Sequence, residues 1–220
     1  LARDVLQAVS DEDVSNEGFP YLTARDLGLG GARVLAQRVS WVGELGWELW
    51  VDPEWAVAVW DRLVRAGRPH GIRACGYRVL EGLRLERGYR AFGTDLTAGD
   101  GPDEAGLSFC VDVAKPFVGR EAVLAAREGG SSRRLRTLLV GGEASLPIYG
   151  GEAVHGAGEV AGRLRSCAYG FTVRRNVGLA YLAESFASGD RLQVDVLGEL
   201  VPADVADDVL VDPDGKRVRG

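Results

Sequence analysis

Apolar and polar positions follow two rhythms along this chain. Up to about residue 128, helical and strand spacings are mixed; beyond residue 132 almost every apolar run alternates with period two. Leu1, Val5, Leu6 and Val9 share one helical face, and the polar stretch Ser10–Asn16 ends that helix. No cap precedes it and the chain does not begin with methionine, which predicts a start inside a longer protein. Phe19–Leu22 fits either a short strand or a helix start, and Gly28, Gly30 and Gly31 predict a turn. Ala32–Val42 then reads as a strand and Trp47–Val51 as its hairpin partner. On that second strand Trp47, Leu49 and Val51 take one face, Glu48 and Trp50 the other.

Asp52 predicts a helix N-cap and Pro53 the first helical position. Ala56, Val59, Trp60, Leu63 and Val64 follow at helical spacing, and Gly67 closes the helix. A second helix is expected over Gly76–Glu86, with Val79, Leu80 and Leu83 inward. The alternation of Phe109, Val111 and Val113 predicts a strand, and Gly119–Arg127 a short helix. Glu128–Ser132, polar and rich in Gly and Ser, is read as the boundary between two domains, 1–128 and 133–220. Leu135–Val140, Gly162–Cys167, Val177–Leu182, Leu192–Val196 and Leu200–Val205 are short strands, with a Gly-rich turn region at Tyr149–Gly158. The fold class is therefore α+β, with a small all-β sandwich or barrel at the C-terminal end.

Composition narrows the function. A formal charge of −6 argues against nucleic-acid binding as the main task. No apolar run approaches the roughly 18 residues of a spanning helix, so no membrane partner is expected. Three cysteines, odd in number and far apart, read as reduced thiols of a cytoplasmic protein. Cys75 is expected mid-helix as a packing residue. Two histidines, His70 and His155, cannot make a short-spaced zinc motif, and no metal is expected. No glycine-rich phosphate loop opens a helix, and no nucleophile elbow occurs.

What remains is a small-molecule site. Glu48 is a strand carboxylate beside large aromatics, able to accept paired hydrogen bonds from a flat N–H edge such as a pterin. Alternatively it is a solvated glutamate or the partner of an arginine. Glu44, in the turn between Gly43 and Gly46, reads as solvated. Arg78, Arg84, Arg87 and Arg90 with Glu81 and Glu86 sit at spacings of three and four, which predicts surface ion pairs. One of these arginines could instead meet the carboxylate tail of an anionic ligand.

Several stretches resemble, in order, the aminomethyltransferase fold of the glycine cleavage T-protein: ARDVLQ, SNEGFPYLTARDL, VSWVGELGWELWV, VWDRLVRAG, GLRLERGYRAFGTDLT, EAGLSFCVDVAKPFVGREA and CAYGFTVRRNVGLAYL. WVGELGWEL and GYRAFGTDL resemble most the folate-binding C-terminal region of dimethylglycine and sarcosine dehydrogenases. The resemblance implies part of a folate-binding layer followed by a small antiparallel β-barrel. It implies tetrahydrofolate as ligand, with Glu48 as the pterin-binding acid, Trp41 and Tyr89 beside the ring, and Arg78 replacing an arginine that T-proteins carry where Leu80 stands. It also implies FAD in an N-terminal domain of the parent enzyme and an amine-derived one-carbon unit as co-substrate. No catalytic residue is assigned. The family's barrel arginine falls near Leu197 and Gly198 and is absent, which keeps open a non-catalytic docking module with a vestigial site. A T-protein-like aminomethyltransferase is the other alternative. The isolated fragment is expected to bind folate weakly or not at all.

Overall fold

The computed structural model describes residues 1–220, which divide into two compact units: Leu1–Leu80 with Asp214–Gly220, and Glu81–Pro213. In the first unit, helix α1 (Ala2–Gln7) is followed by a three-stranded antiparallel sheet, β1 (Ala24–Leu29), β2 (Ala32–Gln37) and β3 (Glu48–Trp50), in the order β1-β2-β3. Helix α2 (Ala56–Gly67) comes next. The core beneath the sheet holds Leu6, Val14, Phe19, Leu27, Leu29, Val34 and Val59.

Strand β1 was not expected. Its sequence ARDLGL has little intrinsic strand preference, and its partner fixes it. Gly30 and Gly31, at φ 62° and 96°, make the two-residue turn that joins it to β2. The predicted strand Ala32–Val42 stops at Gln37; Arg38, 1% exposed, keeps the inward alternation and still exchanges backbone hydrogen bonds with Leu22 and Thr23, and the chain bends from Trp41 onward. Phe19–Leu22 is a turn, neither strand nor helix start, although the Phe19 ring is fully buried. The α2 start is also corrected. Asp52 and Pro53 form a turn in which the Trp55 N–H donates to the Asp52 carbonyl at 2.9 Å; Trp55 takes the N-cap position without a side-chain cap.

The unit boundary falls within helix α3 (Arg78–Glu86), which starts two residues later than expected. Its buried positions are Gly82, Arg84, Leu85 and Glu86, whereas Val79, Leu80 and Leu83 are only half-buried. Cys75 lies exposed in the irregular segment ahead of this helix, not within one. Phe109, Val111 and Val113 form no strand: Ser108–Cys110 is a 3₁₀ turn, Phe109 is exposed, and Asp112 Oδ1 accepts the Ala114 N–H in a further turn. Helix α4 (Arg120–Gly129) leads to the barrel.

The barrel strands are β4 (Arg133–Val140), β5 (Ala153–Gly156), β6 (Glu159–Gly170), β7 (Arg175–Ala183), β8 (Arg191–Val196) and β9 (Glu199–Ala206). They close antiparallel in the order β4-β7-β6-β5-β8-β9, which leaves no free edge. Period two places Ala180 and Leu182 of β7 in the barrel interior, with Leu138, Val154, Leu164 and Val194. Val177, Leu179 and Tyr181 point outward, where Leu85 of α3 covers them with Leu135. Both faces of β7 are thus buried, so its sequence reads as a continuous apolar run. A last short helix, α5 (Lys216–Arg219), belongs to the first unit and departs from the expectation of β structure throughout. No helix is long and apolar enough to cross a membrane.

Candidate functional site

The register of the three-stranded sheet decides what surrounds Glu48. Glu48 pairs with Gln37, which pairs with Ala24; Trp50 pairs with Leu35, which pairs with Asp26. Trp47, Leu49 and Val51 pack toward the core, as their alternation predicts. Glu48 and Trp50 face outward with Leu35 in the adjacent row. Trp50 is 60% exposed and Leu35 40%. Glu48 itself is exposed and enters no ion pair. A hollow of about 420 Å³ near this face is lined by Asp26, Arg33, Leu35, Trp50, Val51 and Asp52, and Glu48 is not part of its lining. Arg33 and Asp26 close one end as an exposed pair in which hydrogen bonding to Asp26 raises the Arg33 pKa. Leu35 was not among the sequence candidates; the cross-strand register is the signal that identifies it.

Trp41 lies in the bend between Arg38 and β3 and is 40% exposed. It shares the first unit with Glu48. Arg78, also in the first unit, is the exposed first residue of α3. Tyr89 lies in the second unit, in the turn after α3, with the Arg87 guanidinium 5.8 Å from its ring centroid. A larger apolar cavity of about 560 Å³ lies on the other side of β3, lined by Val5, Trp47, Leu49, Trp60, Leu63 and Ile72. None of the four candidate residues lines it, and its walls offer few polar groups to orient a heterocycle.

The arginines of α3 behave differently from the expected surface pairs. Arg84 is fully buried and bonds Asp95, also fully buried, while its Nη2 donates to Glu81 at 2.7 Å and its Nη1 to the Tyr89 carbonyl at 3.0 Å. Asp95 further accepts the Ala91 N–H at 2.7 Å and the Ser166 hydroxyl at 2.5 Å. Glu86 Oε1 accepts the N–H groups of Thr172 and Val173 at 2.7 and 3.0 Å, holding the β6–β7 turn. Arg87 pairs with Asp212 at 3.1 Å. Burial, countered in part by Asp208, lowers the Arg90 pKa. These groups are consumed in structure. Arg78 is the exception, since it carries none of this network.

The fold is that of an aminomethyltransferase domain with its barrel. The GCVT N-terminal domain model matches residues 1–115, and the glycine cleavage T-protein C-terminal barrel domain model matches residues 133–212. The chain belongs to the glycine cleavage T-protein family. Among relatives, mitochondrial sarcosine dehydrogenase of Mus musculus is 38% identical over 229 residues, covering 100% of this chain and 25% of that protein. Mitochondrial dimethylglycine dehydrogenase of Rattus norvegicus is 34% identical, covering 99% of this chain and 26% of its own length. The aminomethyltransferase of Geobacillus thermodenitrificans is 33% identical, covering 93% and 56%. The chain thus spans about a quarter of the dehydrogenases and just over half of the aminomethyltransferase. The crystal structure of glycine cleavage system aminomethyltransferase T from Bartonella henselae superposes with a TM-score of 0.74 at 22% identity, over 86% of this chain and 53% of that one, a likeness of fold alone.

Proposed function

We propose that this chain is the tetrahydrofolate-binding region of a flavin-dependent enzyme similar to dimethylglycine and sarcosine dehydrogenases, taking up the one-carbon unit released by amine demethylation. The observation that carries the reading is the Glu48 carboxylate, which no protein group claims and which stands beside the exposed Leu35–Trp50 surface. A carboxylate with both oxygens available is the acceptor that the N3–H and 2-amino edge of a pterin requires. Flat apolar side chains next to it suit the face of the ring.

Tetrahydrofolate would supply the N5 and N10 nucleophiles that accept the one-carbon unit, giving methylenetetrahydrofolate. In this reading Glu48 fixes the pterin edge, Trp41 flanks the ring and excludes water, and Arg78 meets the anionic tail. Orientation and water exclusion are what the protein contributes. On this reading the parent enzyme carries FAD in an N-terminal domain, as the resemblance to the dehydrogenases implies.

The test is Glu48→Ala in the full-length gene product. Charge-assisted hydrogen bonds contribute roughly 1.5–3 kcal/mol each, so tetrahydrofolate affinity measured by calorimetry should fall at least about tenfold. Flavin reduction by the amine should be untouched. Unchanged affinity would remove Glu48 from the site. A product with no flavin and no amine oxidation would favour a T-protein-like aminomethyltransferase instead.

A further inference from the structure

The bend Ser40–Gly46 carries Trp41 and delivers Glu48 to β3, yet it belongs to no helix or strand. Its shape must therefore be set by contacts from outside the sheet ladder. The C-terminal segment Asp214–Gly220, part of the same unit, supplies them. Arg217 Nη1 donates to Glu44 Oε1 at 3.1 Å. Gly220 lies against Leu45 so closely that a Cβ there would sit 2.3 Å from Leu45 Cδ1.

The segment is also fastened to the body of the unit. Val218 is buried. Arg38 Nη2 donates to the Arg219 carbonyl at 2.6 Å, and Asn16 Nδ2 to the Gly220 carbonyl at 3.0 Å. Arg38 has only neutral oxygens as acceptors: the Phe19 carbonyl at 2.6 Å, Asn16 Oδ1 at 2.6 Å, and that of Arg219. Burial, with Arg3 adding like charge, pulls its pKa below the ordinary value. A buried cation deprived of an acceptor is costly, so Arg38 holds the segment firmly.

We propose that Asp214–Gly220 is a strap that fixes the Ser40–Gly46 bend and thereby positions Trp41 and Glu48 for the ligand; the ligand part rests on the pterin reading of Glu48. Arg217 is on this account a positioning residue. Its pair with Glu44 is exposed and contributes little to global stability, which separates its two effects.

The experiment compares Arg217→Glu, the charge swap Glu44→Arg with Arg217→Glu, and deletion of residues 214–220, all in the full-length gene product. Amide exchange across residues 40–48 is followed without ligand, and tetrahydrofolate affinity by calorimetry. Arg217→Glu should speed exchange in that stretch several-fold, leave barrel amides unchanged, and weaken binding roughly three- to tenfold. The swap should restore both. Unchanged exchange over 40–48 in Arg217→Glu and in the deletion would overturn the strap. Faster exchange with unaltered affinity, when Glu48→Ala does lose affinity, would overturn the positioning role. If Glu48→Ala also binds normally, the pterin reading fails, and the exchange data alone decide whether the strap orders the bend.

Discussion

The Ser166 hydroxyl on β6 donates to Asp95 Oδ1 at 2.5 Å, although 71 residues separate them in the chain. The other oxygen of Asp95 holds Arg84, so a fully buried acid, a fully buried base and a barrel hydroxyl form one unit. Removing Asp95 takes from the buried Arg84 its buried counter-charge and leaves it only the half-exposed Glu81, whereas removing the Ser166 hydroxyl leaves the ion pair in place. Asp95→Ala should therefore destabilise the second unit by about 3–5 kcal/mol, while Ser166→Ala costs about 1–2 kcal/mol. Urea unfolding of the two variants measures the difference; equal losses would mean that Arg84 finds another acceptor.

Gly82 faces the same barrel strand. A Cβ at this position would lie 2.4 Å from the Tyr169 carbonyl oxygen, a backbone atom that cannot rotate away. Helix preference alone would favour Gly82→Ala by about 1 kcal/mol. The overlap should reverse that sign, giving a net loss of about 1–3 kcal/mol. Gly129→Ala in α4, with nothing within 4 Å of its Cβ, serves as the control and should be neutral or better.

Asp103 supplies a pH test. Hydrogen bonds from Arg127, at 2.8 and 3.0 Å, lead the causes that hold its carboxyl below the ordinary value. A depressed acid stabilises the fold above its unfolded pKa of roughly 4, and the contribution is lost as pH falls through the folded value. Arg127→Ala should thus lower the melting temperature slightly at pH 7, and the gap should close in acid. A gap that persists below pH 3 would point to lost packing of the arginine stem.

Cysteine accessibility divides the three thiols. Cys75 and Cys110 are exposed. Burial, and secondarily the charge of Glu152, pushes the Cys167 pKa up to about 12. A disulfide reagent at pH 8 should titrate two thiols in the native chain and the third only after unfolding. Rapid modification of Cys167, which packs against the barrel interior, would show that the barrel opens at β6 in solution.

Periodicity alone determined much of this protein. The barrel strands other than β5, helices α2 and α4, and the facing of Glu48 and Trp50 away from Trp47 follow from local alternation, because side-chain direction on a strand or helix is fixed by its repeat; β5 lies within Tyr149–Gly158, read as a turn, and is a strand because β6 and β8 pair with it. Collinear stretches from ARDVLQ to CAYGFTVRRNVGLAYL carried the resemblance to the family, through likeness of residues rather than periodicity. Tertiary structure decided what depends on partners distant in sequence. Strand β1 exists through pairing with β2, and the charged face of α3 is buried because Asp95, Thr172 and Val173 supply its hydrogen bonds. Leu35 joins Trp50 through register, and Asp214–Gly220 meets Arg38 and Glu44 through folding. A buried arginine and a solvated one look alike in sequence. Only the acceptors brought to them by the fold separate the two, since burial of a charge is tolerated where its hydrogen bonds are met.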